Sequence, residues 1–193
     1  MSVHVPLVLF DSGLINDNQI RVNSDNFRGG QLAAKALVDG GAKKIIIEHG
    51  AYQFLNLKER LDGATSFLNE RNIQYKLFEV SDFTYETAQL DSVKLLNQFN
   101  DFDGIIAAND IHASCLLENA RKHGLESPKD FQLIGYDNSY ISELTNPGIS
   151  SISQEPENMG QMTARLLLAA IDNSPVKSST VIPVEYIKRS TSR

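Results

Sequence analysis

Gly104-Ile105-Ile106-Ala107-Ala108-Asn109-Asp110 is a short apolar run that stops at a carboxamide and a carboxylate. The same ending occurs twice more. Pro6-Leu7-Val8-Leu9-Phe10 stops at Asp11, and Gln132-Leu133-Ile134-Gly135-Tyr136 stops at Asp137-Asn138. Each run is too short and too continuously apolar for a half-exposed strand, and the last two in the chain lead into helix-like sequence. Fully buried parallel strands read this way. In an open α/β sheet, ligands bind in the crevice beyond the carboxyl ends of the strands. Polar groups repeated at that edge therefore read as the lining of a small-molecule site. Asp and Asn also favour turns and helix caps, so one such ending decides nothing; three together favour a binding cleft.

Working outward, strand and helix signals alternate. After the first strand come a polar loop, residues 12–19, and a short apolar patch around Ile20 and Val22. Asn26 opens a helix with Leu32, Ala33, Ala36 and Leu37 on one face, and Gly40-Gly41 closes it. A strand over 43–47 precedes a helix over 57–71, whose inner stripe is Leu57, Leu61, Ala64 and Leu68, with Asn72 as the stop. Ile73, Tyr75 and Leu77 alternate as a strand with one exposed face. A helix over 85–99 buries Ala88, Leu95, Leu96 and Phe99. Strand 104–108, a helix capped by Asp110 and ended at Gly124, and strand 131–136 follow. This β-α-β alternation calls for a mainly parallel sheet with right-handed crossovers. Beyond it lie an extended piece at 149–153, a helix over 157–173 with Met159, Met162, Leu166 and Ala170 inward, and a strand over 180–187. Pro183 interrupts that strand, as at a sheet edge or a segment crossing between lobes.

The 193 residues, 41% hydrophobic and 22% charged, suffice for one large domain or two small lobes. A net charge of −6 without a Lys/Arg cluster gives this chain no electrostatic reason to bind nucleic acid. The single cysteine, Cys115, excludes an internal disulfide and sits at helical spacing among Ala113, Leu116 and Leu117, as a buried inert thiol does. No apolar stretch approaches the roughly 18 residues of a membrane helix. The N-terminus has neither the charged region nor the apolar core of a signal peptide. The expectation is a soluble, cytoplasmic protein with no membrane partner.

Several chemistries lack their residues. There is no G-x-S-x-G, no Walker loop and no G-x-G-x-x-G. His4, His49, His112 and His123 are scattered, with no spacing for a zinc site. His49 ends a strand and could face a ligand, although a solvated or loop-bound histidine is the simpler reading. Asp110 and Asp137 could pair as catalytic carboxylates, but no activated nucleophile or metal set accompanies them. Neither an enzyme nor a cofactor or metal is expected.

Asp25-Asn26-Phe27-Arg28-Gly29-Gly30-Gln31-Leu32-Ala33 resembles the D-N-x-x-G-G-x-x-A segment of lactose-repressor/galactose-repressor (LacI/GalR) family transcription regulators. So do Glu59-Arg60-Leu61-Asp62-Gly63, Ala107-Ala108-Asn109-Asp110, Ile134-Gly135-Tyr136-Asp137-Asn138, Ser151-Ile152-Ser153-Gln154 leading to Met159-Gly160, and the closing Arg189-Ser190-Thr191. Each is weak alone; in the family's order and spacing across nearly the whole chain they are jointly specific.

The resemblance implies an α/β fold of the periplasmic-binding-protein type I class, with parallel sheets flanked by helices and lobes joined by three crossing segments. It implies a fragment without the helix-turn-helix headpiece. Residues of about 26–154 plus 184–193 would form a complete C-terminal lobe, and about 1–25 and 155–183 a remnant of the N-terminal lobe.

By the same resemblance, Arg60 matches the arginine that grips the effector, with five donors in a rigid fork. Asn109 and Asp137 match a cleft carboxamide and carboxylate that bind hydroxyls. Phe83 falls where an aromatic stacks on the ligand, Asp11 and Gln154 lie at the hinge side, and Asn56 precedes Arg60 by one turn. Tyr136 reads as core, Asn138 replaces a commoner second aspartate, and Pro156 stands where some members carry an aromatic. From the sequence alone, Arg60 reads first as an exposed helix arginine, and Phe83 equally as a hydrophobic contact before a helix.

The implied function is the effector-sensing and dimerisation portion of a repressor-type regulator. It would bind a sugar-like small molecule and act on operator DNA only through a headpiece outside this chain. A periplasmic sugar-binding protein of a transporter, a flavodoxin-like enzyme and a truncated protein that only dimerises are the alternatives.

Overall fold

The computed structural model describes residues 5–11, 19–51, 54–98 and 100–193. The loop at 12–18, His4 and Phe99 lie outside the described residues. In chain order the elements are β1 (Val8–Phe10), β2 (Ile20–Ser24), α1 (Asn26–Asp39), β3 (Lys44–His49), α2 (Leu55–Glu70), β4 (Gln74–Glu79), α3 (Tyr85–Gln98), β5 (Gly104–Ile106), α4 (Asp110–Lys122), β6 (Gln132–Asp137), α5 (Tyr140–Leu144), β7 (Ser150–Ser153), α6 (Pro156–Ile171), β8 (Ser179–Ile182) and β9 (Glu185–Ile187).

They build two sheets. The larger has the order β4-β3-β5-β6-β7-β9 and the smaller β1-β2-β8. Pairings are parallel except that of β7 with β9. The apolar runs have a simple physical cause. Ile45 and Ile47 of β3 pack with α1 and α2 on one face, while the intervening Ile46 packs with α3 and α4 on the other. Ile106 and Ile134 join the first core, and Ile105 and Leu133 the second. A strand covered on both faces is apolar at successive positions along its buried middle. In the small sheet, Val22 and Ile182 pack against Met159 of α6.

The chain passes between the sheets three times: at Asp25 between β2 and α1, between β7 and α6, and at Pro183-Val184 between β8 and β9. Pro183 thus marks a crossing, and the expected single strand over 180–187 is two strands in different sheets.

Other sequence expectations need correction. β1 is parallel but not fully buried: Phe10 is 59% exposed, and no described strand pairs with the far edge of β1. The apolar patch at Ile20 and Val22 is strand β2, which pairs on both sides. In β4 the alternation breaks, with Leu77 exposed and Phe78 buried in the α3–α4 core. As an edge strand paired only with β3, β4 has no second neighbour to hold its pleat in phase. Asn109, not Asp110, caps α4: its side-chain oxygen accepts from the His112 N–H at 2.9 Å. Helix α5 had no sequence signal.

Candidate functional site

Because β3, β5 and β6 run parallel, their carboxyl ends share one rim. All seven residues singled out above, Asp11, Asn56, Arg60, Phe83, Asn109, Asp137 and Gln154, line one open cavity of about 330 Å³ at that rim. Phe54, Leu57 and Ala108 complete the lining. Nothing in the sequence singled out Phe54, and Leu57 had read only as core.

Arg60 reaches the cavity because α1 and α2 pack backbone to backbone. A Cβ on Gly30 would lie 2.0 Å from the Arg60 carbonyl oxygen, and one on Gly63 would lie 1.9 Å from that of Phe27. Two glycines thus permit the close approach. The guanidinium then stacks on the fully buried Tyr136 ring, with Cζ 3.4 Å from the ring centroid. Nη1 donates to the Ala108 carbonyl at 3.1 Å and Nη2 to Asn26 Oδ1 at 3.2 Å. Asn26, which had read only as a helix opener, is itself held where its Nδ2 donates to the Ser24 carbonyl at 3.1 Å. Arg60 is therefore a fixed wall of the cavity rather than a free arm. Its buried Nε has no partner among the described residues.

Two carboxylates face this cation. Gln154 Nε2 donates to Asp137 Oδ1 at 2.7 Å, while Gln154 Oε1 accepts from Ser24 Oγ at 2.6 Å. A residue of β2 and a residue of β6 are thereby tied through the crossing segment. Asp137 and Asn138 have φ of 100° and 52°, and Asp11 has φ of 45°. Such left-handed backbone is strained for non-glycine residues and clusters at ligand clamps. Burial pushes the Asp137 carboxyl up to about 6; the Arg60 guanidinium pulls it down, and Asp110 and Asp11 push it further up. Burial likewise raises Asp11 against the pull of Arg60, and Asp11 Oδ1 is buried without a partner among the described residues. Asn56 Nδ2 donates to the Asp11 carbonyl at 3.3 Å.

The remaining residues divide. Asn109 spends its oxygen on the helix cap, so its amide nitrogen is the group left for a ligand. Phe83, 37% exposed, and Phe54 supply aromatic surface. Asp110 is structural: it accepts from the Ser139 N–H at 2.6 Å and from Ser151 Oγ at 2.7 Å, and it is not a cavity partner of Asp137. His49 is buried, not solvated, with Nδ1 3.1 Å from the Gly50 carbonyl. Asn138 accepts from the Arg189 guanidinium, whose Nη2 lies 2.7 Å from its Oδ1, and it does not line the cavity. Pro156 begins α6. No group of metal-ligating side chains occurs among the described residues.

Residues 34–192 match the model of the periplasmic binding protein-like domain. This chain belongs to that family. Within it, the ribose operon repressor of Lactococcus lactis is 33% identical over 190 residues, which are 98% of this chain and 58% of the relative. A periplasmic binding protein/LacI transcriptional regulator from Alkaliphilus metalliredigens, complexed with D-xylulofuranose, superposes with a TM-score of 0.87 at 29% identity over 97% of this chain and 71% of its own. A LacI family transcriptional regulator from Enterococcus faecium with bound ribose gives 0.87 at 28% identity, over 96% and 70%. The periplasmic-binding-protein-like chain described here spans a little over half the length of the curated relatives it matches. It corresponds to the effector-binding region of LacI-type regulators, which are repressors and not enzymes. The transporter-component alternative finds no support among these relatives. Among the described residues no helix is long and apolar enough to cross a membrane.

Proposed function

We propose that the cavity binds an uncharged pentose of the ribose class, and that in the intact regulator this binding alters operator affinity through a DNA-binding headpiece outside this chain. One observation carries the reading: two carboxylates, Asp11 and Asp137, line the cavity against the Arg60 guanidinium, two of whose five N–H donors are taken by Ala108 and Asn26. Sugar hydroxyls donate well to carboxylates. A phosphate or carboxylate on the ligand would instead bring further negative charge to a site that already sets two carboxylates against one guanidinium. Phe83 and Phe54 suit the apolar face of a sugar ring. The seven site residues are assigned to effector binding on this basis. Effector and operator sites of this kind are coupled by about 1–3 kcal/mol, and the ligand must bind the two regulator states unequally to exert it.

Operator binding places the protein in the cytoplasm, as a homodimer. Tyr140 and Leu144, one helical turn apart on α5 and 83% and 85% exposed, offer an apolar contact for a second copy. The proposed lobes are about 26–154 with 184–193, and about 1–25 with 155–183, a division supported by the separate β1-β2-β8 sheet.

Calorimetric titration of the intact protein with D-ribose and D-ribose 5-phosphate tests the ligand class. Like-charge contact costs several kcal/mol, so ribose should bind more than about tenfold tighter. Equal affinity, or preference for the phosphate ester, would reject an uncharged effector.

A further inference from the structure

Glu48, near the carboxyl end of β3, and His112, in the first turn of α4, form a pair whose side chains are both 0% exposed. His112 Nδ1 lies 3.5 Å from Glu48 Oε2, and its Nε2 lies 3.0 Å from the carbonyl oxygen of Asp82. Both neighbours are acceptors. Only a ring with a proton on each nitrogen presents a donor to both, the Glu48 contact being a charge pairing at 3.5 Å rather than a hydrogen bond.

The pair touches two walls of the cavity. Asp82 immediately precedes Phe83, whose ring stands edge-on to the His112 ring with centroids 6.2 Å apart. Glu48 Oε2 also accepts from the Ala108 N–H at 3.0 Å, and the Ala108 carbonyl is the group that holds Arg60 Nη1. One buried unit therefore fixes both the aromatic wall and the anchor of the cation.

We propose that Glu48 and His112 are a positioning pair that holds the Phe83 loop and the Ala108–Arg60 anchor, and so sets the shape of the effector cavity. The pair rests on that cavity being the effector site, but its own geometry can be read without ligand.

Charged groups around the ring come from each packed element: Glu48 from β3, Asp82 from the loop before α3 and Asp91 from α3 itself. Asp82 spends its carboxylate on Thr84 and Thr87, and Asp91 accepts from the Ser81 N–H at 2.8 Å. Glu48 is left as the direct partner. Burial opposes the charge on His112, yet Glu48, the Asp82 carbonyl and Asp91 together outweigh it and raise the ring above its ordinary 6.5. Positioning is then intact at and below that pH and is lost as the ring deprotonates at higher pH, when a buried carboxylate faces an unprotonated nitrogen.

The test follows His112 by ring nitrogen and carbon NMR in the intact, ligand-free protein, with His112→Gln assigning the signal. In parallel it follows the emission of Phe83→Trp, read as the difference from the protein without the substitution, since these 193 residues contain no tryptophan. The ring should titrate at a higher pH than an ordinary histidine, the emission should shift with the same midpoint, and Glu48→Gln should lower both midpoints. D-ribose affinity should fall about tenfold across the same interval, as for a buried partner left unsatisfied. A ring midpoint below 6.5, or emission indifferent to the His112 titration, overturns the pair as a positioning device. Should Glu48→Gln not fold, those two wild-type-background titrations still decide. Absence of ribose binding at every pH would reject the pentose reading instead, and the ligand-free signals would still accept or reject the pair.

Discussion

Asp137→Asn should make the ligand-free protein more stable above pH 6 while weakening its hold on ribose. The substitution preserves the oxygen that accepts from Gln154 Nε2, and asparagine tolerates the left-handed backbone at this position. What it removes is a buried negative charge. The carboxyl titrates near 6 in the folded chain against 3.8 for the ordinary group. Native protein therefore holds a proton that the unfolded chain has released, and stability is fully present below about pH 4 and lost as pH rises through about 6. The rise corresponds to a cost of about 2–3 kcal/mol at neutral pH. For a chain of this size that is a gain in Tm of roughly 4–12 °C for the variant at pH 8. Most of this gain should disappear when the carboxyl is protonated, near pH 4. Thermal unfolding followed by circular dichroism at the two pH values measures it. An equal gain at both, or a loss at pH 8, would refute the electrostatic reasoning. Calorimetry on the same variant should show weaker ribose binding, because a neutral amide replaces a charged acceptor.

Two further outcomes follow from the geometry. Arg60→Ala leaves the Ala108 carbonyl without its donor and Asn26 Oδ1 with only Tyr136 Oη at 3.4 Å, which costs about 1–3 kcal/mol of stability; it should also abolish the rise in Tm on adding ribose, and an undiminished rise would remove Arg60 from the site. Leu144→Asp places a charge on a side chain that is 85% exposed in the isolated chain; it should leave the circular dichroism unchanged but shift sedimentation from dimer to monomer, and unaltered sedimentation would exclude α5 from the contact.

The central strands were legible because burial on both faces writes itself into the sequence. Ile45-Ile46-Ile47 needs no partner to be named before it reads as a covered strand, and Asn109 and Asp137 follow as the groups at its neighbours' carboxyl ends. Local patterning records how much of a residue meets water. It does not record which distant residue takes the water's place. Arg60 alone is an ordinary helix arginine; Gly30, Gly63 and Tyr136 make it a fixed wall, and only the packing of α1 on α2 brings them together. His112 looked like one scattered histidine until β3 set Glu48 beside it. Phe10 and Leu77 misled for the same reason, since the exposure of an edge strand is set by what lies beyond the edge. The sequence by itself determined the wound sheet and the rim at which polar groups collect. The tertiary structure alone decided which of those groups remain free for a guest, because each hydrogen bond spent inside the fold is one that a ligand cannot use.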